Sequence, residues 1–298
     1  MEAAGPRERI FFDPARLACG IVTCGGLCPG LNDVIRAIVM SLHHHYGARK
    51  IAEEARRRGL EIAVVGIPKT IDNDILFVQK TFGFETAVAE ARRATYAANT
   101  EAEAARNGIG LVKLMGRDSG FIAAYSSLVD GNVNFCLVPE VPFTLDRFLE
   151  ALQQRIERRG HAVIVVAEGA GQDLLQPPAG SDASGNVKYG DVGVFLRDAI
   201  KGHFARAGIE ANLKYIDPSY TIRSVPAGAH DSAFCLLLGH NAVHAGMTGR
   251  TDLVVGFWNH QFTHVPIPLA VLRRRTLEPD GPLWSSVVAS TGQPGQMR

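Results

Sequence analysis

From residue 108 onward, apolar runs of strand length alternate with stretches of helical period. "GIGLVKLMG" (108–116) predicts a buried strand, "SGFIAAYSSLV" (119–129) a helix with Ser119 able to cap it, and "VNFCLVP" (133–139) a strand. "TLDRFLEALQQRIERRG" (144–160) predicts a helix capped by Thr144 and stopped by Gly160. "HAVIVVAEGAG" (161–171) is the next strand, and "VGVFLRDAIKGHFARAG" (192–208) with "ANLKYID" (211–217) supplies a further helix and strand. Strands that alternate with helices in this way imply a parallel sheet covered on both faces. The N-terminal third breaks the rhythm. "ACGIVTCGG" (18–26) predicts a strand and "GLNDVIRAIVMSLHHHYG" (30–47) a helix; "ARKIAEEARRRG" (48–59) then starts a second helix before "LEIAVVGIP" (60–68) returns to the sheet.

In parallel α/β sheets ligands bind beyond the carboxyl ends of the strands. Those positions carry Lys69, Thr70, Asp72 and Asp74; Met115, Gly116, Arg117 and Asp118; Glu168; and Tyr220 with Arg223. The segment 173–191 is turn-rich and is expected to move or to form an interface, and the tail "GQPGQMR" is expected to fray.

Composition narrows the classes. The 298 residues are 46% apolar, enough for a sizeable core in one large domain or two lobes. Lys plus Arg (31) nearly cancels Asp plus Glu (30), so no basic field points to nucleic acid or a membrane surface. Small molecules or further copies of the chain are the expected partners. No apolar run is long enough to span a bilayer, and the start lacks a signal-peptide pattern. Five scattered cysteines fit reduced thiols in a cytosolic protein; Cys24 and Cys28 offer half of a zinc site, but no second pair follows.

Three stretches carry candidate chemistry. In "TCGGLCPGLNDVIRAIV" (23–39), Gly25, Gly26 and Gly30 lie between strand and helix, where bare backbone and a helix N-terminus can approach a phosphate; a merely tight turn is the plain alternative. In "IPKTIDNDI" (67–75), an extended backbone would point Asp72 and Asp74 the same way, and paired carboxylates keep one group suited to taking a proton; an Asx-turn pair is the alternative. Arg117 and Arg223 follow apolar strands and offer the planar fork that suits phosphate oxygens, joined by Lys214 and Tyr220. His43–His45 are expected to face solvent at a helix end, and His230, His240 and His244 to sit in the core or between lobes. The arginine runs at 56–58 and 273–275 are expected on solvated faces.

"TCGGLCPGLNDVIRAIV", "PKTIDNDI", "TFGFETA", "MGRDSGFIA", "PEVPF", "AEGAGQ" and "YIDPSYTIRS", in this order, resemble the 6-phosphofructokinases, most closely the branch shared by plant-like and bacterial long-chain enzymes. The resemblance implies a two-lobed α/β fold of parallel sheets covered by helices, with a donor (nucleotide) lobe at 11–83 plus 223–298 and a sugar-phosphate lobe at 84–222. It also implies phosphoryl transfer from ATP to the 1-hydroxyl of fructose 6-phosphate in glycolysis, Mg²⁺ as cofactor, an allosteric homodimer or homotetramer, and the cytoplasm.

Carried over by position, Asp72 matches the proton acceptor, beside Thr70, Ile71 and Asp74. Lys69 and Arg117 face the transferring group; Met115, Gly116, Arg117 and Glu168 match sugar-binding residues; Lys214, Tyr220 and Arg223 match the 6-phosphate pocket; Gly25 and Gly26 match the donor-phosphate turn. One departure is large. Members of the family carry a further segment of roughly two βαβ units, with a Gly-Gly-Asp-Gly loop, where Lys50 here runs straight into Ile51. The metal-ligating aspartate and the glycines that help separate ATP from pyrophosphate lie in that segment, so the chain offers no metal ligand. Lys69 also resembles pyrophosphate-using relatives. Two alternatives therefore stand: a pyrophosphate-dependent enzyme, or a catalytically impaired sugar-phosphate-binding protein.

Overall fold

The computed structural model describes residues 1–14, 17, 19–23, 25–46, 63–175 and 188–297, without the side chains of 43–46. The chain divides into two compact units, Met1–Thr86 with Ser224–Arg275, and Ala87–Arg223 with Thr276–Arg298.

The first unit holds β1 (Glu2–Ala3), α1 (Leu31–Tyr46), β2 (Val65–Gly66), the start of α2 (Phe84–Glu103), α6 (Ala229–Met247), β7 (Leu253–Trp258), β8 (Gln261–Pro266) and α7 (Ile267–Ala270). The second holds the rest of α2, β3 (Gly108–Leu114), α3 (Phe121–Val129), β4 (Phe135–Leu137), α4 (Leu145–Arg159), β5 (His161–Ala167), α5 (Val192–Arg206), β6 (Asn212–Ile216) and α8 (Pro282–Thr291).

The second unit follows the alternation closely. Its strands form an all-parallel sheet in the order β4-β5-β3-β6. Apart from Lys113 and His161, both central strands are apolar on both faces because helices cover both, and Ala162 to Ala167 are fully buried. One layer of the core joins Ile109, Leu111, Ile164 and Val166 of the sheet to Phe148 and Leu152 of α4 and Leu196 and Phe204 of α5. On the other face α2 lies so close that a Cβ on Gly110 would stand 2.7 Å from the Ala98 carbonyl, so only glycine fits there. Gly160 ends α4 in the left-handed region, φ 75°, as its position predicts.

Local capping differs from expectation at two helices. Thr144 occupies the N-cap of α4, yet its hydroxyl donates to the Met297 carbonyl at 3.3 Å rather than capping the helix. The N-cap position of α3 is taken by Gly120, not Ser119. The Gly120 N–H there donates to the Glu140 carboxylate, 2.9 Å to Oε1, and a second oxygen lies at 3.1 Å. Glu140 also accepts the Leu277 N–H at 2.8 Å, so one carboxylate holds two chain segments. The tail is not frayed through Met297. Gln293 pairs with both backbone groups of Cys136 (2.6 and 3.3 Å), Met297 is buried, and its carbonyl accepts the Thr144 N–H at 2.7 Å. These bonds, with α8 packed on α3 and β4, place Thr276–Arg298 in the second unit rather than with the 223–298 lobe.

The first unit departs further. Its sheet is mixed, in the order β1-β8-β7-β2, with β2 parallel to β7 and the pairs β7–β8 and β1–β8 antiparallel. The β7–β8 hairpin closes through Asn259 (φ 47°) and His260 (φ 62°), two left-handed residues whose twist suits a two-residue turn. The strand expected over 18–26 is not formed at its described residues; Val22 stands 93% exposed, with no described strand beside it to pair it. Of the strand expected over 60–68 only Val65–Gly66 pairs, and 60–62 lie outside the described residues, as does the second helix over 48–59. Helix α1 packs on α6, and a Cβ on Gly239 would come within 2.5 Å of Ala37 Cβ.

Candidate functional site

In the first unit the "KTIDND" loop folds as a turn rather than an extended strand. Asn73 is left-handed, φ 57°, and its side chain accepts the Thr81 N–H at 3.0 Å and donates to the Gln79 carbonyl at 3.3 Å. The Thr81 hydroxyl donates to the Thr70 carbonyl at 2.7 Å, and the Asp72 N–H donates to the Thr70 hydroxyl at 3.1 Å. The alternation that would have aligned Asp72 with Asp74 is therefore lost. Asp74 pairs instead with Arg274, 2.8 Å from Oδ2 to Nη1, and its carbonyl accepts the Arg275 N–H at 2.7 Å. Arg275 reaches the carbonyls of Asn73, Val78 and Gln79, at 3.0 to 3.4 Å. The run 273–275 is thus a brace for the loop at two of its three positions, while Arg273 is exposed. The run 56–58 lies outside the described residues.

Lys69 meets the glycine turn: its ammonium donates to the Gly26 carbonyl, and a Cβ on Gly25 (φ 79°) would lie 3.6 Å from it. Gly25, Gly26 and Lys69 form one local group, as an anion site at the entry to α1 requires. Ile71 is buried against Gly83, so its backbone is the part available to a ligand. Cys28 lies beside this group, where burial pushes its thiol up to about 12; it is an unreactive thiol that donates to the Phe82 carbonyl.

In the second unit β3 and β5 deliver the next group. Past Leu114 the chain turns through Gly116 (φ 142°) and Arg117 (φ 47°), backbone that side chains rarely adopt. The Glu168 carboxylate accepts the Arg117 N–H at 3.0 Å, and a Cβ on Gly169 would stand 1.9 Å from the Arg117 carbonyl. Met115, Gly116, Arg117, Glu168 and Gly169 therefore form one tight junction between two strand ends. Past β6, Asp217–Ser219 leads into a 3₁₀ turn over Thr221–Arg223. The Arg223 guanidinium lies 5.3 Å from the exposed Tyr220 ring, and its Nε is buried with no hydrogen-bond partner among the described residues. Lys214 is not brought to this loop end: it stands exposed at mid-strand, in register with Gly110.

The histidines also differ from expectation. His230 is exposed, 3.4 Å from Glu85, because it opens α6 on the solvent side, whereas His240 and His244 are half-buried. The side chains of His43–His45 lie outside the described residues. Three groups escaped sequence reasoning: Arg274 with Arg275, the Glu140 double acceptor, and Lys113, a lone charge inside the apolar run "GIGLVKL". Only the last left a signal in the sequence.

The residues present fit an anion better than a metal. The unpartnered Nε of Arg223 suits an anionic oxygen. Among the described residues no cluster of three His, Cys, Asp or Glu side chains can hold a metal ion, and Asp74 is already engaged by Arg274. The site as described does not fit Mg²⁺, and no step is assigned to it.

Residues 46–246 match the sequence profile described as "Phosphofructokinase". The chain is 42% identical to the ATP-dependent 6-phosphofructokinase of Amycolatopsis methanolica over 380 aligned positions, covering 99% of this chain and 83% of the relative. It is also 42% identical to the ATP-dependent 6-phosphofructokinase of Borreliella burgdorferi over 384 positions, covering 100% and 86%. An alignment of 380 positions against a chain of 298 residues leaves at least 82 positions of the relative without a counterpart (380 less 298). In fold the chain is similar to the pyrophosphate-dependent phosphofructokinase of Marinobacter aquaeolei, with TM-score 0.59 and 22% identity. It spans 56% of that structure's chain, and 75% of its own length is covered. No described helix is long and apolar enough to cross a membrane.

Proposed function

The chain belongs to the phosphofructokinase family, and from that premise we propose that it carries the chemistry of an ATP-dependent 6-phosphofructokinase, transferring the γ-phosphoryl group of ATP to the 1-hydroxyl of fructose 6-phosphate. The attacking oxygen forms the new P–O bond, the bond to the ADP oxygen breaks, and Asp72 takes the hydroxyl proton. Arg117 and Lys69 offset the charge on the transferring oxygens. Thr70, the backbone of Ile71, Met115, Gly116 and Glu168 hold the sugar, and Tyr220 and Arg223 hold the 6-phosphate. Gly25 and Gly26 receive the donor phosphates. Asp74 acts through its Arg274 pair to fix the loop that carries Asp72.

One observation carries the acceptor half of this reading: the buried, unpartnered Nε of Arg223, held beside Tyr220 at the end of β6. ATP is preferred to pyrophosphate as donor because the relatives named ATP-dependent are 42% identical, whereas the pyrophosphate-dependent relative is alike in fold at 22%. The four described cysteines are all free thiols, which supports a reducing compartment, the cytoplasm. A homodimer or homotetramer is the assembly we assign, testable by sedimentation.

A second reading has its own support. The 82 or more unmatched positions and the absence of a metal-ligand cluster among the described residues favour a chain that binds the sugar phosphate but transfers phosphoryl groups poorly. The test of the shared acceptor site is titration of fructose 6-phosphate by calorimetry into the parent and Arg223→Ala. Loss of about 1.5–3 kcal/mol of binding free energy, the range for a charge-assisted hydrogen bond, is expected. Equal affinities would remove Arg223 from the pocket.

A further inference from the structure

Lys113 is the penultimate residue of β3, and its side chain is only 13% exposed. Its ammonium lies 2.8 Å from Asp217 Oδ2 and 3.2 Å from Asp191 Oδ1. The register explains why: Val112 stands opposite Ile216, so Lys113 meets the residue where the chain leaves β6. Asp217 in turn accepts the Ser219 N–H at 3.1 Å and the Ser219 hydroxyl, and the Pro218 carbonyl accepts the N–H groups of Thr221 (2.9 Å) and Ile222 (3.2 Å). The lysine therefore grips the first residue of the turn that ends in Tyr220 and Arg223.

Its second partner is equally placed. Asp191 caps α5 by accepting the Val194 N–H at 3.1 Å and receives the Tyr215 hydroxyl at 3.3 Å. Two residues earlier, the Tyr189 hydroxyl donates to Asp118, next to Arg117. Three segments, 113–118, 189–191 and 217–223, thus meet around one cation. Burial alone would lower the lysine pKa, yet Asp217, Tyr215 and Asp191 outweigh it and hold the group above its ordinary value, so it stays charged. With two carboxylates on its donors it has little left for a ligand.

We propose that Lys113 is a positioning residue for the sugar phosphate: held between Asp191 and Asp217, it fixes the 217–223 segment in the conformation that presents Tyr220 and Arg223. The proposal rests on the acceptor-site reading above. A buried ion pair is costly to form and costly to break, so removing the cation leaves two facing carboxylates and releases the turn.

The test compares parent, Lys113→Met and Lys113→Arg by calorimetry with fructose 6-phosphate and by amide hydrogen exchange without ligand. Lys113→Met should weaken binding roughly 10-fold or more, the scale at which supporting residues act. It should also speed exchange at Ser219, Thr221 and Ile222 while the amides of Ile164 and Val165 keep their rates. Lys113→Arg should restore both to within about threefold of parent. Unchanged turn exchange in Lys113→Met, or a uniform rise that reaches β5, overturns the proposal, as does Met-variant affinity equal to parent. If the parent fails to bind fructose 6-phosphate, the acceptor-site reading falls and the positioning role falls with it, whereas normal parent binding with an unaltered Met variant sinks the positioning role alone.

Discussion

Asp72 and Asp74 stand two residues apart and have different fates. Asp74 spends its charge on Arg274, 200 positions away, which no local pattern reveals. Asp72 sits on the turn that this pair stabilises and is the residue assigned to take the proton. In a chain with its donor side restored, Asp72→Ser should lower turnover about 10²-fold with little change in fructose 6-phosphate affinity, the usual cost of a lost general base. Steady-state kinetics checks this, and equal turnover in mutant and parent would remove Asp72 from the mechanism. The residue types of the site were legible because polar groups follow apolar strands. Their alignment was not, since Asn73 turns left-handed and breaks the alternation on which the sequence argument relied. Arg274 and Arg275 looked like a solvated run for the same reason: their partners lie far away in sequence.

Among the elements, those with strong local signals form where the pattern puts them. Helix α4 has its apolar stripe and a glycine stop, and β5 is an unbroken apolar run between turn residues. The alanine-rich α2 carried a weaker stripe and went unread, although it seals one face of β3. The hairpin β7–β8 was also missed because its turn residues are Asn-His, without the glycine that usually marks such turns. Helix α2 is started by a distant residue. Asp231 of α6, fully buried, accepts the N–H groups of Gly83 (3.0 Å) and Thr86 (2.7 Å) and the Thr86 hydroxyl (2.6 Å). Asp231→Ala would strand these donors at a cost of about 1–3 kcal/mol each before relaxation. Urea unfolding should show a lower midpoint with the slope unchanged, and a midpoint within error of parent would refute the capping role.

For the whole molecule, the family and the fold of the second unit follow from the sequence, while the first unit reads as incomplete. A stretch patterned as a strand, Cys19–Thr23, pairs with nothing described, and Val22 and Leu27 stand 93% and 64% exposed on either side of the glycine turn. The aligned relatives carry at least 82 positions that this chain lacks, and the join between Lys50 and Ile51 lies outside the described residues. Exposed apolar edges of this kind favour self-association. On the proposed reading, the chain keeps its acceptor residues and lacks part of its donor side. The most direct test is calorimetry on the 298-residue chain, its intact mass confirmed, titrated separately with fructose 6-phosphate and with Mg·ATP. The sugar phosphate should bind and Mg·ATP should bind far more weakly, with turnover far below the roughly 1–100 per second of typical kinases. Mg·ATP binding as tight as that of the sugar phosphate, with turnover in that range, would contradict the account.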